Sequence, residues 1–498
     1  MSAALGELVA GLGARVEGPA GARVDDVAYD SRQIRPGSLF AALRGAQTDG
    51  HRFIPDALRA GASALLVEEA PAARPAEVGV AVVADARRAL ADVAARFFAF
   101  PARSLSLVGV TGTKGKTSTV RMCESVLAAG GRPAGSLGTI SVRWPGFEEK
   151  AAMTTPESLD LQRWLARMRD AGVAAVALEV SSHSLALGRV RGLRFAVAVF
   201  TQLAHDHLDF HGDLESYGRA KALLFAPELL AGTAVLNVAD PWTKRLAEIA
   251  RAGGNAVVTY GRGAGSGADY TTLEEQVELS HSRLRVRGPD AERELELPLP
   301  GDFQVDNALA ALAAGRALGV SWDDALRGLA TCPPVPGRLE RVGTARPIVL
   351  VDYAHTPNSL ERVLERVRPL VRGELIAVFG CGGDRDPTKR APMARAACAN
   401  ADYVIATSDN PRTEDPDAIL REVAVGLSGP HEVIADRRRA IARAIARAQP
   451  EDCVVIAGKG HEDYQIVGRE KRHFDDREEA ARALDAAQNH NDTGGNAG

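Results

Sequence analysis

Short apolar runs alternate with stretches whose hydrophobic residues recur at helical spacing along most of the chain, the pattern of α/β layers with mainly parallel sheets. The runs 105–110, 173–180, 195–201 and 234–238 read as strands of one sheet, and 348–353, 374–379, 403–407 and 453–457 as strands of another. Between the two sets, residues 276–299 switch to polar/apolar alternation (Val277-Glu-Leu, Leu284-Arg-Val-Arg, Leu295-Glu-Leu), which predicts a small set of antiparallel strands. A helix follows over 305–318. Ahead of the first set, an Ala/Arg-rich helical stretch stops at Phe100-Pro101. The segment Cys332-Pro-Pro-Val-Pro-Gly337 fixes φ and removes backbone donors, so it is a stiff connector. Three α/β blocks result, 1–102, 103–334 and 335–487. The tail 488–498 has no apolar residue beyond alanine and is expected to be disordered.

Length agrees with this division, since 498 residues at roughly 150 per domain give about three domains. Hydrophobic residues at 46% and charged ones at 25% are ordinary for a globular chain, and a net charge of −4 argues against nucleic acid as the main partner. The N-terminus lacks the basic start and unbroken apolar core of a signal peptide, and no uncharged apolar run reaches membrane-spanning length. A cytoplasmic protein without membrane insertion is expected. The cysteines, Cys123, Cys332, Cys381, Cys398 and Cys453, are scattered with no C-x-x-C pair, which predicts reduced, buried thiols.

Chemistry concentrates where strands end. Gly109-Val-Thr-Gly112-Thr113-Lys114-Gly115-Lys116-Thr117 follows one apolar run and opens a helix, so its backbone N–H groups face an anion. Lys116 adds a mobile positive charge and the Thr117 hydroxyl can ligate Mg²⁺, which together predict a nucleoside triphosphate site. Leu178-Glu179-Val-Ser181 places a carboxylate at the end of another strand, the edge where open α/β sheets bind ligands. His205-Asp-His207-Leu-Asp209-Phe-His211 ends a third. Three imidazoles there could serve a transition metal, but a phosphate substrate favours Mg²⁺, which needs few protein ligands.

The phosphate loop, Glu179-Val-Ser-Ser-His183, Asp206-His-Leu-Asp-Phe-His211, Pro336-Gly-Arg-Leu-Glu340 and Val351-Asp-Tyr-Ala-His355 together resemble the Mur ligases, across essentially the whole chain. The resemblance implies ATP-dependent amide formation on a UDP-linked cell-wall precursor. It also implies a UDP-binding N-terminal α/β domain, a central P-loop ATPase domain and a Rossmann-like C-terminal domain. Asp30-Ser-Arg32, Met153-Thr-Thr-Pro156 and Ser408-Asp-Asn-Pro-Arg412 are similar to the branch that adds the third peptide residue.

By that resemblance, Gly112, Thr113, Lys114, Gly115, Lys116, Thr117, Asn307, Arg338, Asp352 and His355 contact ATP, and Thr117, Glu179, His207 and Lys221 serve Mg²⁺. Lys221 would do so as a carbamate formed with CO₂. Lys116, Lys221, His207 and Arg338 are the implied catalytic set. Ser31, Gln47, Thr154, Thr155, Ser181 and Arg189 match contacts to UDP-N-acetylmuramoyl dipeptide, and Arg385, Asp409, Asn410, Pro411, Arg412, Gly458 and Glu462 match contacts to meso-diaminopimelate. Arg412 offers a planar fork to the distal carboxylate of diaminopimelate, where the ammonium of lysine would meet like charge. Gln202 and Gln304 stand where the family carries asparagine, so neither is counted among the ATP contacts. The implied protein is a monomer whose C-terminal domain closes about a hinge near 333–337. A ligase for lysine or another amino acid, and a P-loop ATPase or kinase making no amide, are the alternatives.

Overall fold

Each apolar run of the first set forms a strand: Ser106–Thr111, Ala175–Glu179, Phe195–Phe200 and Leu230–Asn237. The computed structural model describes residues 2–45, 48–344 and 346–494. In it these strands pair in parallel in the order Ala134–Leu137, Ala175–Glu179, Ser106–Thr111, Phe195–Phe200, Leu230–Asn237, Ala256–Gly261. Val176, Leu178, Leu107, Val108, Val197 and Val199 have no more than traces of exposed surface, as strands covered on both faces require. At one edge the hairpin Ser141–Trp144/Phe147–Lys150 adds two antiparallel strands. Sequence order reverses at Ser106–Thr111, which has later strands on both sides. The loop leaving this strand therefore opens into the crevice that such sheets use for ligands.

The chain groups into two compact units. The first comprises 1–271, 287–291 and 306–329. Besides the large sheet it holds a five-stranded sheet ordered Arg15–Glu17, Gly79–Val82, Ala64–Val67, Ser38–Ala41, Asp26–Ala28, parallel except for Arg15–Glu17. Packing contacts cross residue 102. Helix Ala86–Phe97 shares a core with Leu159 and Ala166 of helix Ser158–Asp170, and the Tyr29 hydroxyl donates to Asp160 at 2.6 Å.

The second unit comprises 272–286, 292–305 and 330–498. Its six-stranded sheet runs Glu340–Val342, Ile348–Asp352, Cys453–Ala457, Leu375–Cys381, Tyr403–Ser408, His431–Val433, parallel except for Glu340–Val342. Alternate strand residues feed two cores, Leu350, Ala377, Phe379 and Val455 on one face and Val349, Ile376, Val378 and Ile456 on the other. The alternating segment expected in the central block groups largely with this unit, because Leu279 packs into the core that contains Leu350 and Phe379. The closing helix Asp476–Gly494 runs into the segment expected to be disordered, and 495–498 lie outside the described residues. All five cysteines are free thiols, and four are buried. Among the described residues no helix is long and apolar enough to cross a membrane.

Candidate active site

The phosphate loop lies between Ser106–Thr111 and helix Lys116–Ala129. Gly112 and Gly115 both take positive φ, +150° and +87°. A Cβ on Gly112 would collide with the Thr201 hydroxyl, and one on Gly115 would stand 2.7 Å from Asn307 Oδ1, so glycine is required at both for conformation and space. The loop is tied to the end of the neighbouring strand. Thr113 N donates to Gln202 O at 2.8 Å, the Thr201 hydroxyl to Lys114 O at 2.6 Å, and Ala204 N to the Thr113 hydroxyl at 2.9 Å. Asn307 Oδ1 accepts from the Thr119 hydroxyl at 3.2 Å, which places this residue of a distant helix beside the loop.

Two lysines meet on one carbonyl. Lys116 Nζ and Lys221 Nζ each donate to Gly112 O at 2.9 Å. Lys221 is 1% exposed and stands over the Tyr217 ring at 4.4 Å. Burial first, and then the Lys116 ammonium, pulls its amine far below the ordinary lysine value.

Glu179 is buried at its strand end, clamped by one residue. Thr139 N donates to Oε1 at 2.8 Å and the Thr139 hydroxyl to Oε2 at 3.1 Å. Thr139 also touches the Thr154 hydroxyl at 3.1 Å. The Thr155 hydroxyl donates to Glu179 O at 2.8 Å and accepts from Ser181 N at 3.1 Å, while Ser181 caps helix Ser182–Ala186 through Ser184 N. Arg189 Nη1 donates to Thr155 O at 3.1 Å, and its Nε lies 2.9 Å from Glu157, which also pairs with Arg87 at 2.5 Å. Thr154, Thr155, Ser181, Arg189 and Glu179 thus form one connected cluster.

His207 adopts a left-handed φ of +54° ahead of the short helix Leu208–His211, with its ring 4.9 Å from that of His183. Burial and then the neighbouring imidazole pull His183 and His211 below the usual histidine range. Glu179, His207 and Lys221 are not joined by a direct hydrogen bond or ion pair, and among the described residues no group of three or more His, Cys, Asp or Glu is placed to hold a metal by itself. Ser31 lies in a one-turn helix capped by Asp30. Gln47 lies outside the described residues.

In the second unit, Asp352 ends its strand with both carboxylate oxygens engaged, Oδ2 by Leu339 N at 2.7 Å and Oδ1 by Ala354 N at 2.8 Å. The Arg338 guanidinium stands 5.2 Å from the Tyr353 ring, and His355 Nδ1 lies 2.8 Å from Tyr353 O. Arg412 has φ +55°, and its Nη1 donates to Gly383 O at 2.7 Å. Asn410 Nδ2 donates to Glu462 Oε2 at 3.0 Å, bringing together two residues far apart in sequence. Gly458 has φ +121°, and a Cβ there would stand 2.7 Å from Asp409 Oδ2. Arg385 is exposed.

The sequence reading did not single out Thr139, Lys459 or the Arg437–Asp476 pair. Lys459 is wholly buried beside Asn410, Asp409 and Glu462. Its signal was available in Gly458-Lys-Gly460 directly after a strand. Arg437 and Asp476 are both fully buried and joined at 2.7 Å through two nitrogens, beneath the carbonyls of Ser408 and Ala457 that carry the Asp409 and Gly458 loops.

Sequence profiles described as "Mur ligase family, catalytic domain", "Mur ligase middle domain" and "Mur ligase, glutamate ligase domain" match residues 23–98, 110–315 and 337–460. A UDP-N-acetylmuramoyl-L-alanyl-D-glutamate--2,6-diaminopimelate ligase of Gloeobacter violaceus is 49% identical over 461 residues, 91% of this chain and 92% of its own. One of Geobacillus kaustophilus is 45% identical over 91% of this chain and 94% of its own. A solved structure of a ligase with the same name matches at a TM-score of 0.75 and 32% identity, covering 98% of this chain and 100% of that one. MurF from Acinetobacter baumannii, at 20% identity, a TM-score of 0.65 and 98% coverage of both chains, shares the fold.

Proposed function

The chain belongs to the Mur ligase family, and on that premise we propose that it joins meso-diaminopimelate to the D-glutamate of UDP-N-acetylmuramoyl-L-alanyl-D-glutamate at the expense of ATP, in peptidoglycan precursor synthesis. The observation that carries this reading is the 49% identity to a diaminopimelate ligase over nine-tenths of the chain, combined with an intact phosphate loop. The cytoplasm, where ATP and nucleotide-linked precursors are available, is the expected compartment.

In the proposed mechanism the backbone N–H groups between Gly112 and Thr117 cradle the ATP phosphates, and Lys116 follows the γ-phosphoryl group as it moves. Asn307, Arg338, Asp352 and His355 hold the remainder of the nucleotide. The γ-phosphoryl leaves ADP for an oxygen of the D-glutamate side-chain carboxylate, and the neutral amine of diaminopimelate then attacks the carbonyl carbon. Phosphate leaves with the C–O bond electrons, and the amine proton passes to solvent. Thr155, Ser181 and Arg189 position the UDP-linked peptide through the cluster they share with Glu179.

A cation that keeps several waters and takes phosphate oxygens needs only one or two protein carboxylates, and Glu179, held on both oxygens by Thr139, fits Mg²⁺ in that manner. Thr117 and His207 complete the residues assigned to it. Bound Mg²⁺ supplies charge neutralisation at the phosphates. For Lys221, burial favours the uncharged amine, the form that captures CO₂. A new N–C bond with loss of one proton leaves a carbamate whose negative charge suits a second Mg²⁺ where an ammonium does not.

Phosphate release and product mass, measured with ATP, Mg²⁺ and UDP-N-acetylmuramoyl-L-alanyl-D-glutamate plus meso-diaminopimelate or L-lysine, test the reading. Product with diaminopimelate alone is expected. Product with lysine alone refutes the role given to Arg412, and ATP consumption independent of any amino acid refutes amide synthesis.

A further inference from the structure

A lysine with no exposed surface is uncommon unless it is paired, and Lys459 is one. It follows Gly458 at the end of strand Cys453–Ala457, and its ammonium ends among three side chains from two loops. Nζ lies 3.1 Å from Asn410 Oδ1, 3.5 Å from Glu462 Oε2 and 3.9 Å from Asp409 Oδ1, with the Tyr464 ring at 5.5 Å.

This arrangement settles two orientations. Asn410 Oδ1 accepts from Lys459 and also from Ile466 N at 2.9 Å, so the amide oxygen is held inward and Nδ2 is turned to Glu462 Oε2. Glu462 then receives both of its donors on Oε2, leaving Oε1 without a hydrogen bond among the described residues. Charge is set as well. Asp409 and Glu462 each bring a negative charge to Lys459, which offsets one of them, so these three side chains together carry one net negative charge.

Building on the proposed ligase reading, we propose that Lys459 is a positioning residue for the amino-acid substrate. It locks Asn410 and Glu462 so that Glu462 Oε1 faces the substrate ammonium, and it limits the negative charge there so that the carboxylates of the same substrate are not repelled. Its Nζ has no exposed surface and acts through Asn410 and Glu462.

The test compares wild type, Lys459→Met, Glu462→Gln and the double variant, with KM measured for meso-diaminopimelate, ATP and the UDP-linked dipeptide, and folding followed by circular dichroism. Loss of one charge-assisted contact predicts a rise of about tenfold to a hundredfold in KM for diaminopimelate in Lys459→Met. KM for the other two substrates stays within about twofold. Because Lys459 acts through Glu462, the double variant is no worse than the poorer single variant. Equal rises for all three substrates, an unchanged KM for diaminopimelate, or a double variant as poor as the product of the singles would overturn the assignment. Should Lys459→Met fail to fold, Lys459→Gln, which keeps a donor for Asn410 without the charge, is read by the same criteria. A wild-type enzyme that shows no diaminopimelate-dependent phosphate release instead sinks the ligase reading, and this inference with it.

Discussion

Glu157 gives the sharpest test of how the first unit holds the cluster proposed to bind the UDP-linked peptide. It is 7% exposed and accepts from Arg87 Nη1 at 2.5 Å while Arg189 Nε lies 2.9 Å away. Replacing it with alanine leaves two guanidinium groups without their shared carboxylate. Breaking a buried pair in this way costs about 3–5 kcal/mol when the survivor has nowhere to turn. Here Arg189 retains Thr155 O at 3.1 Å and Arg87 retains Arg44 O at 3.3 Å, and their side chains are 17% and 21% exposed. The expected loss is therefore lower, about 2–3 kcal/mol, or roughly 3–5 °C in the first thermal transition of a unit this large. Arg189 also loses its anchor, so KM for the UDP-linked dipeptide rises about tenfold while KM for diaminopimelate stays unchanged. Thermal melting and initial-rate kinetics of Glu157→Ala and Glu157→Gln measure both effects. A melting point within about 1 °C of wild type together with an unchanged KM refutes the reasoning.

Three further outcomes follow from other contacts. Thr139→Val removes the hydroxyl that holds Glu179 Oε2 and lowers Mn²⁺ affinity about tenfold, read by electron paramagnetic resonance; unchanged affinity denies Thr139 that role. Lys221→Met abolishes tripeptide formation while the enzyme stays folded, and wild type depleted of CO₂ regains rate on adding bicarbonate; a fully active methionine variant refutes the carbamate. Burial pushes the Glu124 carboxyl up from 4.5 to about 7, so the folded state holds a proton that the unfolded chain has released, and this contribution to stability is present below about pH 4.5 and lost as pH rises through about 7. Glu124→Gln flattens that slope by at most about 3 kcal/mol; the Ser136 hydroxyl, which donates to the carboxylate at 2.8 Å, and Arg121 oppose the shift, and parallel pH–stability curves for the two proteins exclude it.

Much of this was legible in the sequence because the signals are local. A short apolar run, a glycine-rich turn and Lys116-Thr117 lie within about a dozen residues, and the strand Ser106–Thr111 and helix Lys116–Ala129 form where that pattern places them. Glu179 was legible as a strand-end carboxylate. Its clamp was not, because Thr139 reaches it across 40 positions of chain and carries no motif of its own. Asp352 is named from the sequence as an ATP contact by resemblance alone. The structure adds that it first anchors Leu339 and Ala354, a task that depends on a loop closing back over the strand. Arg437 and Asp476, 39 positions apart, look like any surface charges on a line of text, and only packing reveals that neither reaches water. The alternation over 276–299 predicted strands, and strands form there, whereas periodicity reports a buried face and not which core covers it.

Arg412 sits in the left-handed region, and its backbone is stitched to the hairpin Tyr464–Val467/Glu470–His473: its N–H donates to Ile466 O at 3.0 Å, and its carbonyl accepts from Gly468 N at 2.7 Å. The fork proposed to read the substrate carboxylate is thus half of a two-part cassette whose other half lies more than fifty residues downstream. Transplanting 409–412 alone into a ligase for another amino acid would carry the letters of the specificity without its grammar; the hairpin has to travel with them, and selection for a new acceptor must act on both loops at once.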